Sequence, residues 1–508
     1  MKSVNRPSWL LVLVGIVCVS RPPALSQPSS AEAWSDAAVA EGAKRSPQGA
    51  IVYAEHCAVC HDHGANRAPV VYHLRMMMAD TIYKALTDGA MRLQAQNISD
   101  PDKHAVADFL SANRSTADAR LTPPACQGDS ALFDFDKPPA YPGWGMTLAN
   151  TRFAGKSVTG LDSHNVSRLH LKWALGFDGA TRVRSEPGLA GGAVYLGSQD
   201  GRVYALDRKT GCQRWQFAAR SEVRTGIVVS PWRAGDSTAR PLSFFADFLG
   251  NVYAVDAIRG TLIWSDHADS HPATTLTGTP VLYEGRLYVP ATTQEKAAVG
   301  GTYDCCTSRG SMIAYDARSG KRLWQRFLVA KPTFRGLSKT GSRLYGPSGA
   351  GIWSSPAVDA KRGLLFFATS NNYSSPATRT SDAVIAMDLK SGTIKWSYQA
   401  TANDAWNLGC MLPGGSICPK ENGTDYDFGA AVILARAGDG REYLLAGQKS
   451  GWVYGLNPDN GRLLWKTKVG RGGFLAGVHF GMAAGGGALY VPISDAPDGQ
   501  RYSEPAKP

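Results

Sequence analysis

From Trp144 onward the chain repeats a module: an acid or amide, glycine four residues later, and tryptophan four later again. The copies are Asp207/Gly211/Trp215, Asp256/Gly260/Trp264, Asp316/Gly320/Trp324, Asp388/Gly392/Trp396 and Asn457/Gly461/Trp465. Each follows an alternating apolar run such as Val203-Tyr-Ala-Leu206 or Val252-Tyr-Ala-Val255, so the module reads as strand, tight turn, strand. The Asp or Asn side chain folds back onto its own turn, and the glycine takes the backbone conformation that a Cβ disfavours. An indole buries a large apolar area and needs one partner for its N–H, so a Trp at the same point of every sheet wedges against the next sheet. A degenerate copy ends at Trp173 after Leu169 and Leu171. The spacing fits four-stranded blades of a β-propeller, with loops that lengthen in later copies. Long loops on such a frame hold function, whereas the tryptophans themselves are structural.

Composition agrees with a turn-rich β protein of more than one domain, with 55 glycines in 508 residues. The net charge of +12 is spread thinly, since only 19% of residues are charged. No Lys/Arg block is interleaved with aromatics, which argues against nucleic acid. Lys2 and Arg6, an apolar run from Trp9 to Val19, and small residues at Ala24 to Ser26 predict a cleaved export signal over 1–26 and a periplasmic protein. Val17 is a poor fit to lipoprotein processing at Cys18. No later stretch approaches the roughly 18 apolar residues of a membrane span. Setting aside Cys18, Cys57 and Cys60 leaves six cysteines, an even number in an oxidising compartment.

Ahead of the propeller, residues 27–46 read as a flexible lead-in and 47–113 as a small all-α domain. Helices are expected at Pro47–His56, with Ile51, Val52 and Ala54 at helical spacing, at Thr81–Thr87, and at Asp100–Leu110, with Val106, Phe109 and Leu110 inward. Cys57-Ala-Val-Cys60-His61 places two thiols to add to haem vinyl groups and an imidazole to bind the iron, a c-type haem site. A zinc site lacks a second ligand pair nearby, and a thioredoxin-like motif lacks its βαβ setting. The sixth ligand comes from Met76, Met77, Met78 or Met91. Met91 is preferred, because Gly89-Ala-Met91 forms a loop between helices while the triplet lies on a helix with a core-facing side. A Met/His pair suits electron transfer. Residues 114–142, with Pro123, Pro124, Pro138 and Pro139, form a linker, and 143–508 the propeller.

The repeats, with Trp144-Gly145 and Asn150-Thr-Arg152 before them, resemble the propeller of pyrroloquinoline quinone (PQQ)-dependent alcohol dehydrogenases. The order of cytochrome first and propeller second most resembles the cytochrome-type polyvinyl alcohol dehydrogenases. The resemblance runs from about residue 48 to the end. It implies PQQ, calcium and one covalent haem c as cofactors. It also implies an alcohol substrate, polymeric in that branch, and a downstream periplasmic acceptor such as a cytochrome c.

The same resemblance assigns the site. Cys305-Cys306 matches the family's vicinal disulfide, which stacks on the quinone, although in better-known members the pair lies one blade earlier. The alternative is two thiols bonded to separate partners. Trp353 precedes Asn371 by 18 residues, as the family's ring-stacking Trp precedes its calcium-binding Asn. Glu295 and Asp404 are the other calcium candidates, since calcium prefers hard oxygen ligands. Asp404, in Asn403-Asp404-Ala-Trp406-Asn407, matches the segment that supplies the catalytic base, with Asn407 where the family often has a second acid. Lys449 is expected to hydrogen-bond the quinone oxygens, Arg224 to meet a cofactor carboxylate and Thr292 its ring. As isolated residues these acids and cations would be solvated surface groups. Cys410/Cys418 and Cys126/Cys212 are the remaining expected pairs.

Family propellers have about eight blades, whereas the Trp motifs here predict about six and a C-terminally incomplete ring. The competing function is therefore an inactive propeller serving as an electron carrier or envelope scaffold.

Overall fold

In the computed structural model the described residues are 36–62, 68–69, 71–75, 77–111, 123–139, 144–177, 180, 182–297, 303–411, 417–473 and 475–495, without the side chains of 36–39, 72, 73 and 495. The expected export signal lies outside them.

Helices at Pro47–His56, Ala58–His61, Val71–Arg75, Ala79–Thr87 and Asp100–Leu110 build the N-terminal domain. Val52, Tyr53, Ile82, Leu86, Val106, Phe109 and Leu110 close its core. Ile51 points outward instead. The first and last of these helices cross so closely that a Cβ on Gly49 would lie 2.0 Å from the Ala105 carbonyl oxygen. The lead-in expectation is corrected over its described part: Asp36–Arg45 is helical, and Arg45 donates to the carbonyls of Asp108, Phe109 and Ser111. These bonds satisfy the end of the last helix, where carbonyls lack intrahelical partners.

Five antiparallel sheets follow, over 188–218, 228–267, 281–327, 357–399 and 433–468, each with four strands in sequence order, and in the third a fifth strand, Thr274–Thr275, also pairs with Arg286–Thr293. The repeat works as its chemistry dictates. The Asp side chain caps its own turn, as where Asp388 Oδ1 accepts from Lys390 N and Ser391 N at 3.0 and 2.8 Å. Each repeat glycine has positive φ, and a Cβ on Gly211, Gly260, Gly320, Gly392 or Gly461 would strike Trp173, Trp215, Trp264, Trp324 or Trp396 of the preceding module. Trp173, Trp215, Trp264 and Trp396 each donate Nε1–H to a carbonyl of the next turn.

Six blades become five full sheets and a short hairpin, Ala483–Gly485 with Ala488–Tyr490, among the described residues. The Trp173 segment forms no described strand, and Leu169 and Leu171 are exposed. Residues 148–151 tie successive sheets at their first strands. Leu148 O, Ala149 O and Thr151 O accept from Val358, Leu434 and Ala484, while Asn150 Nδ2 donates to Ser355 O and Val432 O. The expected linker is corrected too: over 123–139 it lies along the first sheet. Ala125 bridges Gln213, Cys126 is disulfide-bonded to Cys212, and Trp232 Nε1 donates to Phe135 O.

Candidate functional site

The haem motif opens onto a cavity of about 660 Å³ lined by Cys57, Cys60, His61, Met77, Met91 and, from the propeller, Leu249. Cys57 and Cys60 are free thiols. His61 is buried with Nδ1 2.7 Å from Pro69 O, which makes Nδ1 the donor and leaves Nε2 as the lone-pair nitrogen. Burial lowers the His61 pKa, keeping the imidazole neutral as iron ligation requires. These residues fit haem c. Met91 and Met77 both line the cavity, while Met76 lies outside the described residues.

On the propeller, Lys449 Nζ lies 5.2 Å from the Trp353 ring centroid and bonds Asp427 Oδ2 at 2.6 Å and Asp425 Oδ2 at 2.9 Å. Lys296 Nζ reaches the same acids at 3.2 and 3.3 Å and stands 5.8 Å from the Trp353 ring and 5.9 Å from that of Tyr373. Asn371 N–H donates to Asp427 Oδ1 at 2.8 Å. The Asp427 carboxyl is held well below its usual range: burial opposes the charge, but Lys296 and Lys449 outweigh it. Burial and the Asp427 charge raise that of Asp425. Asp382, also fully buried, is pushed up by burial and then by Asp404, Asp427 and Asp425.

The Cys305–Cys306 disulfide forms, across a cis peptide bond, and packs with Tyr303, Tyr373 and Trp406. Glu295 buttresses this turn. Its oxygens accept from Thr307 N, Ser308 N and Tyr303 OH, and although burial opposes its charge, His271 and the Ser308 hydrogen bonds hold its pKa at about 2. These acceptors serve the disulfide turn. Asp404 holds a turn in the same way. It is buried, and its oxygens take Asp425 N, Tyr426 N and Thr424 Oγ1 at 3.1, 2.9 and 3.1 Å. Burial, the first of several causes, raises it to about 6. Asp404 thereby fixes the turn that presents Asp425 and Asp427.

Thr292 meets Gly351, two residues before Trp353, closely enough that a Cβ there would lie 2.2 Å from Thr292 Oγ1. Arg224 belongs to a different network: it pairs with Glu222 at 2.9 Å, beside Arg182, and stacks 4.0 Å over Phe248. Asn407 donates to Tyr373 O and Ile417 O, bracing the loop closed by Cys410–Cys418. The sequence reading missed Lys296, Asp425 and Asp427. The signal was Asp425-Tyr-Asp427, between the disulfide loop and the strand that leads to Lys449.

A description of a glucose/ethanol/alcohol dehydrogenase β-propeller domain matches residues 141–413, and one of the cbb3-type cytochrome c oxidase subunit III matches 45–110. A polyvinylalcohol dehydrogenase of Pseudomonas sp. is 36% identical over 88% of this chain and 72% of its own length. That of Sphingopyxis sp. (strain 113P3) is 34% identical, covering 88% and 71%. The chain belongs to the PQQ-dependent quinohaemoprotein alcohol dehydrogenase family. It is an alcohol-oxidising enzyme whose cofactors are PQQ and haem c. The solved quinohemoprotein alcohol dehydrogenase ADHIIG from Pseudomonas putida HK5 shares the fold, with TM-score 0.54 and 21% identity over 74% of this chain and 60% of that one.

The quinohaemoprotein's propeller site fits a planar, polycarboxylated quinone: Trp353 offers a face, and Lys296 and Lys449 offer cations. Calcium is typical of the family. Here its fit lies at Asn371 Oδ1, a hard oxygen that is buried and accepts no hydrogen bond among the described residues, on a residue whose backbone N–H bonds Asp427. Among the described residues no helix is long and apolar enough to cross a membrane.

Proposed function

We propose that this enzyme oxidises secondary alcohol groups of polyvinyl alcohol in the periplasm and delivers the electrons through its haem to a soluble cytochrome c. The observation that carries the reading is Asp427, one buried carboxylate bonded to both Asn371 and Lys449 beside the Trp353 ring. When bound, PQQ supplies the oxidant that takes hydride from the alcohol carbon, calcium polarises the quinone carbonyl, and haem c takes the electrons singly.

The chain's own residues do the rest. Trp353 and the Cys305–Cys306 disulfide are the stacking surfaces, and Thr292 sets the approach to Trp353 through Gly351. Asp427, ionised beside two ammoniums, accepts the hydroxyl proton as hydride leaves. Asp425 shares the ammoniums and Asp404 positions the turn. Lys449 orients the quinone oxygens, and Asn371 with the acid pair holds the cation. His61 and Met91 would supply the nitrogen and sulfur ligands to the haem iron, and Arg224 is left to its Glu222 network.

Protein exported with haem maturation and loaded with PQQ and calcium should reduce its own haem on adding polyvinyl alcohol, read at the c-type absorption band. Pentane-2,4-diol and a primary alcohol complete the comparison. Haem reduction by the primary alcohol alone would overturn the substrate assignment, and reduction by none would overturn the activity of this chain.

A further inference from the structure

Asp247 is fully buried at the turn between the second and third strands of the second sheet, apart from the quinone cluster. Its Oδ1 accepts from Leu249 N and Asn251 N at 3.0 Å each, and its Oδ2 accepts from Tyr253 OH at 2.8 Å. The Tyr253 oxygen in turn accepts Arg220 N–H at 3.1 Å. One buried acid therefore fixes two corners of the propeller, at Arg220 and at Leu249, and both corners line the cytochrome cavity. Leu249 also packs against the helical core, and Thr81 Oγ1 donates to Asp200 O at 3.3 Å alongside.

A haem in this cavity brings two carboxylates. Its charged lining residues include Lys84 from a helix and Arg92 from the turn that follows it, Asp88 against them, and Arg220 from the propeller. We propose that Arg220 is the propeller's partner for a haem carboxylate and Leu249 the cover over the haem edge, so that the quinone domain itself raises the haem potential. The inference rests on the haem reading alone. The ferric haem carries one more positive charge than the ferrous, so a cation held nearby favours the reduced form, and excluding water strengthens that effect.

The test is a mediated spectroelectrochemical titration of the full, haem-matured chain without alcohol. Arg220→Gln is expected to lower the midpoint potential, Arg220→Lys to stay close to the parent, and added salt to narrow the gap between parent and Arg220→Gln. Arg441→Gln, on an exposed turn of the fifth sheet, should leave the potential unchanged. Titration of Arg220→Gln at the parental potential, or an equal shift in the Lys variant, would overturn the proposal. Because no alcohol enters the measurement, its outcome is independent of whether the substrate assignment holds.

Discussion

Lys449 and Asp427 meet at 2.6 Å with almost no exposed surface on either side chain, an ion pair joining the segment that leads into the fifth sheet to the turn between that sheet's second and third strands. Their charges are tolerable there because each is paired, with Lys296 and Asp425 completing the cluster. Asp427→Asn should cut alcohol-driven haem reduction by about 10²–10⁴-fold while the oxidised haem spectrum stays intact. Lys449→Met, which leaves buried carboxylates short of a cation, should cost about 3–5 kcal/mol in stability. Asp404→Asn provides the discriminating comparison. Loss of turnover as complete as in Asp427→Asn would return the base to Asp404.

The Trp-docking repeat makes a separate prediction about the frame. Gly320 has φ 72°, and a Cβ there would approach the Trp264 ring to 2.6 Å. Gly320→Ala combines a disfavoured backbone with overpacking, for a cost of about 2 kcal/mol or more. The urea midpoint of the variant reads it. Gly285→Ala is the control, since it shares the 72° φ but has nothing within 4 Å of its Cβ. Equal losses in both would mean that the backbone alone, and not the tryptophan contact, sets the requirement.

The repeat was legible because its period, its turn chemistry and its Trp–Gly contact are all local or nearest-neighbour features. The haem site was legible for the same reason, being five consecutive residues. The quinone cluster was legible only in part. Trp353, Asn371 and Lys449 stood out by motif, but Asp427 owes its role to two long-range bonds, to Asn371 and Lys449, that no local pattern encodes. Lys296 and Glu295 are adjacent in sequence and read as one loop, yet the first turns to the acid pair and the second to the disulfide turn.

Glu295 should prove structural. Glu295→Gln replaces an acceptor-only group facing the backbone N–H groups of Thr307 and Ser308 with one that carries its own donors. The expected cost is about 1–3 kcal/mol, with faster reduction of the adjacent disulfide by a small thiol. Parental stability together with loss of calcium dependence would instead make Glu295 a metal ligand.

His479 makes the acid limb of the stability profile testable. Its ring meets Trp353 edge-on at 5.5 Å, and burial, with Lys449 adding repulsion, lowers its pKa from 6.5 to about 3. The unfolded chain therefore takes up a proton near pH 6.5 that the folded chain refuses until about pH 3. The stability this confers is complete above pH 6.5 and is lost progressively as pH falls towards 3, by a few kcal/mol over the full window. His479→Gln removes that proton from the balance. Between pH 7 and 4 the urea midpoint of the variant should fall less steeply than that of the parent. Parallel profiles would show that His479 titrates in the folded protein as it does in the unfolded chain, and so that the ring beside Trp353 is open to water.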